Sequence, residues 1–515
     1  MEHILTVKTD LRELSLPAQS GETLLEALRR AGVAVPASCG GRGTCGRCRV
    51  LLDGESVLAC RTAVSRDAAV TLREQSGGQI LGGGEAPSEL GAPDSGTGTA
   101  ARDAEPSELG LAVDIGTTTV VAELLDLRSG ARLGTAAAWN AQAPYGADVI
   151  SRCQYCMEHP DGTETLRAVI RTQVRDLALQ LGAEPESLRR CFVAGNTVMQ
   201  HLYAGLSPAG IAVAPFRPAA LFIGDEPKEE GLAYAPCAAG YVGGDILAGL
   251  LASGLSRKAE HSLFLDIGTN GEMALGGAEG FVGCAVASGP AFEGVGISCG
   301  MAGIDGAVSH VRWDSGAPEW DVIGGTEARG LCGSGLIDLL AVLIEKRVVS
   351  GSGLLYGPEE APEGFEDCLG EDENGNGIFF LTPDRRVFLT AADVRKLQLA
   401  KAAVAAGIAV LLKEAGLRAE EVDRLYLAGG FGTYMDVRSA AVIGMIPACL
   451  AERTVLLGNS SLAGAREALL HPEARRELEK IRMNFRYLEL SGNAGFNEEY
   501  PEQMFFYEED EDEWN

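Results

Sequence analysis

Leu111-Ala112-Val113-Asp114-Ile115-Gly116-Thr117-Thr118-Thr119-Val120 returns as Leu263-Phe264-Leu265-Asp266-Ile267-Gly268-Thr269-Asn270-Gly271-Glu272, 152 residues further along the chain. In each copy a short apolar run reads as a buried strand and ends in aspartate. The glycine that follows opens a tight turn, whose N–H groups and hydroxyls suit phosphate oxygens. The aspartate stands where it can hold Mg²⁺ through water. A strand and turn repeated at this distance predict a duplicated α/β fold with one phosphate-binding turn per half. The residues so assigned are Asp114, Gly116, Thr117, Thr118 and Thr119 in the first half, and Asp266, Gly268, Thr269 and Asn270 in the second.

Three further stretches extend this reading. Leu427-Ala428-Gly429-Gly430-Phe431-Gly432 runs a strand into glycines, and Gly429, Gly430 and Gly432 would let a nucleoside lie against bare backbone. Tyr241-Val242-Gly243-Gly244-Asp245 precedes the second copy, and Asp245 is either a base that activates an attacking hydroxyl or water, or the N-cap of a helix over 246–252. Gly330-Leu331-Cys332-Gly333-Ser334-Gly335 opens an apolar helix over 336–343, which puts Gly333, Ser334 and Gly335 at a helix N-terminus suited to ribose or phosphate. In this order the stretches resemble the first phosphate, second phosphate and adenosine motifs of the superfamily of actin, Hsp70 and the sugar kinases. The resemblance implies a two-lobed, ribonuclease H-like ATPase that uses ATP and Mg²⁺, with Asp114 and Asp266 at the metal and Asp245 as catalytic base. The plainer alternative is a set of glycine turns at strand ends of any α/β protein.

Upstream, the chemistry changes. Cys39, Cys45, Cys48 and Cys60 follow the spacing Cys-x5-Cys-x2-Cys-x11-Cys, and the first three share the loop Ser38-Cys39-Gly40-Gly41-Arg42-Gly43-Thr44-Cys45-Gly46-Arg47-Cys48. Four thiolates on a glycine-rich loop suit a [2Fe–2S] cluster, because bare backbone can wrap closely and donate N–H groups to sulfide. A zinc site is the competing reading, but knuckles usually carry two Cys-x2-Cys pairs and this loop has one. The surrounding residues predict short strands at 4–6, 13–16, 49–52 and 69–72. They also predict a helix within 21–32 that aligns Leu24, Leu25 and Leu28, with Gly32 as its C-cap. We therefore expect an α/β chain with a β-grasp-like [2Fe–2S] ferredoxin domain at 1–75 and a flexible linker at 76–108. A two-lobed actin-like ATPase domain would follow at 109–500, with an acidic tail at 501–515. Cys153 and Cys156 form a lone pair on a helix, with metal or redox work the weaker reading.

A net charge of −29 disfavours nucleic acid, which needs clustered Lys and Arg. The best apolar run, 402–412, is a buried helix rather than a membrane span. The start Met1-Glu2-His3 opens no secretion signal, so a cytoplasmic protein is expected. With thirteen cysteines, mostly reduced thiols follow from that.

An iron–sulfur domain, a linker and an actin-like ATPase together resemble the ATP-dependent reductive activators of corrinoid proteins. Further marks of that family are Asn140-Ala141-Gln142-Ala143-Pro144-Tyr145-Gly146-Ala147-Asp148-Val149-Ile150-Ser151-Arg152, Ala194-Gly195-Asn196-Thr197-Val198-Met199-Gln200-His201, Ala287-Ser288-Gly289-Pro290-Ala291-Phe292-Glu293-Gly294 and Leu427–Gly432. The family commonly has Asn-Pro-Gln at 140–142, where this chain has alanine. Some relatives carry a middle domain after the linker, for which the short span from Glu108 to Asp114 leaves no room. The resemblance implies that one electron passes from the [2Fe–2S] cluster to a corrinoid protein of a methyltransferase system, taking Co(II) to Co(I). ATP would drive the exchange, and an electron donor protein or other reductant would refill the cluster. Residues 289–294 would form a cleft or docking loop, or a plain turn; a homodimer is left open. Two alternatives stand beside it: ATP-driven electron delivery to another metalloenzyme, and a small-molecule kinase with an accessory redox domain.

Overall fold

A computed structural model describes residues 2–8, 13–30, 33, 35, 48–71, 108–314 and 316–506. Cys39, Cys45, Gly32, the linker from 76 to 107 and the tail beyond 506 lie outside the described residues.

The N-terminal strands are β1 (Glu2–Lys8), β2 (Glu13–Gln19), β3 (Arg49–Leu52), β4 (Glu55–Leu58) and β5 (Ala68–Thr71), in the order β2-β1-β5-β3-β4. Helix α1 (Leu24–Arg30) buries Leu24, Leu25 and Leu28, as their spacing requires. Each such leucine contributes roughly 1.5–3 kcal/mol. Strand β4 was not anticipated. It pairs with β3 across Asp53-Gly54, both at positive φ (50° and 93°), a two-residue turn whose twist suits a hairpin.

The next region carries β6 (Leu109–Ile115), β7 (Thr119–Asp126), β8 (Arg132–Trp139), α2 (Val149–Glu158), α3 (Gly162–Gln180), β9 (Leu188–Gly195), α4 (Thr197–Ala204), the single turn α5 (Ala209–Ala212) and β10 (Leu232–Tyr234). Strands β6, β7 and β8 form an antiparallel meander, and β9 and β10 add in parallel on the other side of β6, giving β10-β9-β6-β7-β8. Helices α2, α3 and α4 cover one core, which includes Val113, Ile170 and Leu202.

After α6 (Gly244–Ser253) the same pattern recurs in β11 (Ser262–Ile267), β12 (Gly271–Gly277) and β13 (Gly280–Val286). A small sheet of β14 (Ala307–Asp314), β15 (Ala317–Val322) and β16 (Gly330–Leu331) leads into α7 (Gly333–Glu345). A second, of β17 (Leu369–Glu371), β18 (Gly377–Phe380) and β19 (Phe388–Thr390), leads into the 25-residue α8 (Ala391–Ala415). Next come β20 (Arg424–Ala428), α9 (Gly429–Tyr434), α10 (Val437–Val442), β21 (Thr454–Gly458), α11 (Ser460–Leu470), α12 (Pro472–Met483), β22 (Phe485–Tyr487) and α13 (Ala494–Glu502). The large sheet runs β21-β20-β11-β12-β13-β22, with β20 and β21 parallel to β11.

Both large sheets therefore share a five-strand order, a three-strand meander with two parallel strands added beside its first strand, to which the second sheet adds β22 beyond β13; the Asp-Ile-Gly-Thr turn joins the first two strands in each. This is the duplication that the sequence repeat implied, in the ribonuclease H-like arrangement that the family resemblance implied. The register carries the duplication further. Asp114 pairs with Ala194 on its parallel neighbour and Asp266 pairs with Ala428, and in each case a glycine and a helix follow. No helix among the described residues is long and apolar enough to cross a membrane.

Candidate functional site

In the N-terminal domain, Cys48 immediately precedes β3 and Cys60 is the second residue after β4, so the hairpin brings both to one place. Their sulfurs stand 3.2 Å apart, and the Cys60 N–H points to the Cys48 sulfur at 3.5 Å. A disulfide needs about 2.05 Å. Two thiolates about 2.3 Å from one tetrahedral metal stand roughly 3.8 Å apart, so the pair is close to the spacing that one iron requires. Both sulfurs are buried. Cys153 and Cys156 are different: burial pushes Cys153 up to about 12 and Cys156 upward, so both stay protonated thiols.

The first phosphate turn, 116–118, is held from behind by buried polar side chains. Asn140 Nδ2 donates to the Gly116 carbonyl (2.8 Å), and the Asn140 backbone N–H donates to Thr118 O (2.8 Å). Arg152 Nη2 donates to Thr117 O (2.6 Å). Asn196 Nδ2 donates to the Thr117 hydroxyl (3.0 Å), while Asn196 Oδ1 caps α4. Gly116 has no room for a side chain, because a Cβ would stand 2.8 Å from Thr119 O. Sequence reasoning did not assign Asn140, Arg152 or Asn196 to this site.

In the second half, Gly429 (φ 84°) follows β20 and lies so close to Asp266 that a Cβ would collide with its carboxylate. The second phosphate aspartate and the adenosine glycines are thus brought together. The turn 268–270 is braced by the Ser288–Gly294 stretch. Ser288 Oγ donates to the carbonyls of Gly268 (3.4 Å) and Thr269 (3.3 Å), and the Thr269 hydroxyl donates to Glu293 (2.7 Å). Burial raises the Glu293 carboxyl. Residues 290–293 also pack on α7 and α8.

Asp245 sits inside the first turn of α6, one residue past its start, so it is not the N-cap; it accepts from the Ile246 N–H at 2.9 Å. Burial, together with the Asp245 and Asp266 carboxylates, holds Glu272 well above the usual carboxylate range. Glu272, opposite Asp266 across the β11–β12 pair, is an acidic member of this cluster that the sequence reading passed over. Gly333, Ser334 and Gly335 do form the first turn of α7, but all are buried, and a Cβ on Gly335 would collide with Val308 O. Close packing against β14 accounts for Gly335, while α7 itself touches α9.

Comparison with known proteins follows this architecture. The model for the 2Fe-2S iron–sulfur cluster binding domain matches residues 7–71, the RACo middle region matches 109–258, and the C-terminal domain of RACo, the ASKHA domain, matches 260–515. The middle-region match falls on the first of the two large sheets and corrects the expectation that the chain has no room for a middle domain: that region lies within the stretch that sequence alone assigned wholly to the ATPase. The chain is 31% identical over 420 residues to the corrinoid activation enzyme RamQ of Eubacterium limosum, covering 77% of this chain and 70% of that protein. It is 27% identical to the [Co(II) methylated amine-specific corrinoid protein] reductase of Methanosarcina barkeri, covering 70% of each. A solved reductive activator for corrinoid, iron–sulfur protein aligns over 98% of both chains at 32% identity, with a TM-score of 0.68. With the cluster hairpin, the duplicated phosphate turns and these matches from end to end, the chain belongs to the reductive activators of corrinoid proteins.

Proposed function

We propose that this protein returns a corrinoid protein from Co(II) to Co(I) by one-electron transfer from a [2Fe–2S] cluster, driven by ATP. The observation that carries the reading is coverage: a solved activator aligns over 98% of both chains, cluster domain included. Cys48 and Cys60, with sulfurs 3.2 Å apart, would supply two thiolates to one iron, and Cys39 and Cys45 would complete the set. When bound, the cluster supplies a single low-potential electron, near about −400 mV for plant-type ferredoxins. The Co(II)/Co(I) couple implied by the family lies lower, and each ~59 mV uphill costs about tenfold in equilibrium. ATP binding and hydrolysis offset that cost by favouring one partner complex over another.

The chain's own residues divide this work. The turns 116–118 and 268–270 hold phosphate, and Gly429 and Gly430 admit the nucleoside. In the second half Asp266 would hold Mg²⁺ through water, as Asp114 would in the first, and the carboxyl groups crowded at Asp245, Asp266 and Glu272 suit a divalent cation. Asp245 orients the attacking water. The 76–108 segment tethers the cluster domain, so that it meets an electron donor and the corrinoid partner in turn, in the cytoplasm. The test is anaerobic: reduced protein, ATP and a Co(II) corrinoid protein are mixed and Co(I) absorbance is followed. Co(I) that appears only with ATP supports the reading. No Co(I) with a cognate partner, together with phosphorylation of a sugar, overturns it.

A further inference from the structure

Arg152 is fully buried, yet each of its four hydrogen-bond partners is uncharged: the carbonyls of Thr117 (2.6 Å) and Gly146 (2.9 Å), the Gln142 amide oxygen (3.3 Å) and the Met199 sulfur (3.0 Å). A buried cation without a bonded anion is costly and calls for a reason. Burial pushes the guanidinium down to about 9, against an opposing pull from Asp148, so it stays charged at neutral pH.

The geometry supplies the reason. In a planar trans peptide, a carbonyl and the following N–H point opposite ways. Asn140 Nδ2 holds Gly116 O and Arg152 Nη2 holds Thr117 O, so the N–H groups of Thr117 and Thr118 turn to the other side of the turn. The clamp residues Asn140, Gln142 and Arg152 are buried, whereas Gly116, Thr117 and Thr118 are each half-exposed. The turn therefore shows outward-facing donors, with a fixed positive charge directly behind them. That is the arrangement an anion requires.

We propose that Arg152 is the positioning residue of the first phosphate turn, pinning the Thr117 carbonyl from behind while its charge, bonded to no anion among the described residues, is complemented by the nucleotide phosphates. The proposal rests on the nucleotide reading above and adds to it the residue that makes the turn select phosphate. Its signature is an effect that scales with phosphate number, because charge acts on phosphate and not on the nucleoside.

The test uses the full-length protein and calorimetric titration with ATP, ADP and adenosine. Arg152→Met is expected to weaken ATP by at least about tenfold and ADP by less, with adenosine unchanged within about twofold. Arg152→Lys keeps the charge but loses the fork, and should recover part of the ATP loss. Lys401→Met removes another buried cation, one held by the Phe505 carbonyl at 2.6 Å, and is expected to leave all three affinities unchanged. Equal losses for ATP and adenosine, no loss in a folded variant, or failure of both Arg152 variants to fold would each overturn the proposal and leave Arg152 a structural residue. A wild-type protein that bound none of the three ligands would instead sink the nucleotide reading, and the proposal with it.

Discussion

Cys60 and Cys48 are brought to 3.2 Å by a hairpin that turns on two residues, Asp53 and Gly54. Cys60→Ser keeps the size but removes one thiolate from a set of four. Iron per chain and visible charge-transfer absorbance should fall to a small fraction of wild type, with ATP affinity unchanged, since the proposed nucleotide residues lie outside the stretch matched by the iron–sulfur model. Wild-type iron content in this variant would exclude Cys60 as a ligand. Gly429 is the corresponding residue for the second phosphate turn. Gly429→Ala adds backbone strain of about 1–3 kcal/mol at φ 84° and drives a methyl into the Asp266 carboxylate. Mg²⁺-dependent ATP hydrolysis should drop by at least about tenfold, while circular dichroism reports a folded chain. Undiminished hydrolysis would show that Asp266 does not need its present position.

At the scale of elements, α4 shows how one side chain fastens a long connection. His201 Nδ1 donates to Thr197 O (2.7 Å) within the helix, which leaves Nε2 to accept from the N–H groups of Ala219 and Ala220 (3.1 and 3.2 Å). Burial lowers its pKa below the ordinary imidazole value, against smaller opposing pulls from Thr197 and Asp225. The latch needs the neutral ring, because a protonated Nε2 cannot accept. A lowered folded-state pKa places the full stabilisation above about pH 6.5, and it is lost as pH falls from there through the folded value. Thermal melts should show wild type losing stability across that window. His201→Gln, which does not titrate, should lose less over the same interval; equal slopes would remove His201 from the acid response.

The same scale shows what could be read in advance. The Asp-Ile-Gly-Thr turns were legible because the signal is local: a few apolar residues, an aspartate and a glycine turn. Helix α1 was legible for the same reason, through Leu24, Leu25 and Leu28. The Asp53-Gly54 turn that announces β4 was equally local and was passed over. So was the second repeat, in which Phe192-Val193-Ala194-Gly195 parallels Tyr426-Leu427-Ala428-Gly429. The clamp behind the first turn is another matter. Arg152 reaches Thr117 across 35 residues and Asn140 reaches Gly116 across 24. No periodicity links such pairs; only the folded sheet and helix α2 bring them together. Asp245 misses the N-cap position by two residues, a shift that local sequence rarely resolves.

For the whole molecule, the proposed tether at 76–108 sets how often the cluster domain meets its target. If the segment is the flexible linker that its Gly, Ser, Ala and acidic composition leads us to propose, it would follow random-coil statistics, with an end-to-end distance of about 5–6 Å times the square root of its length. Thirty-odd residues then span roughly 30 Å, and the local concentration of the cluster domain falls with about the −3/2 power of linker length. Doubling the segment with Gly-Ser repeats should therefore slow Co(I) formation only about threefold when domain encounter limits the rate. Deleting most of it should stop electron delivery while ATP hydrolysis continues, because too short a chain cannot span both positions of the domain. Stopped-flow measurement of Co(I) absorbance beside a phosphate-release assay separates the two activities. A rate indifferent to both changes would mean that the cluster domain does not travel, and that the segment is a spacer rather than a tether.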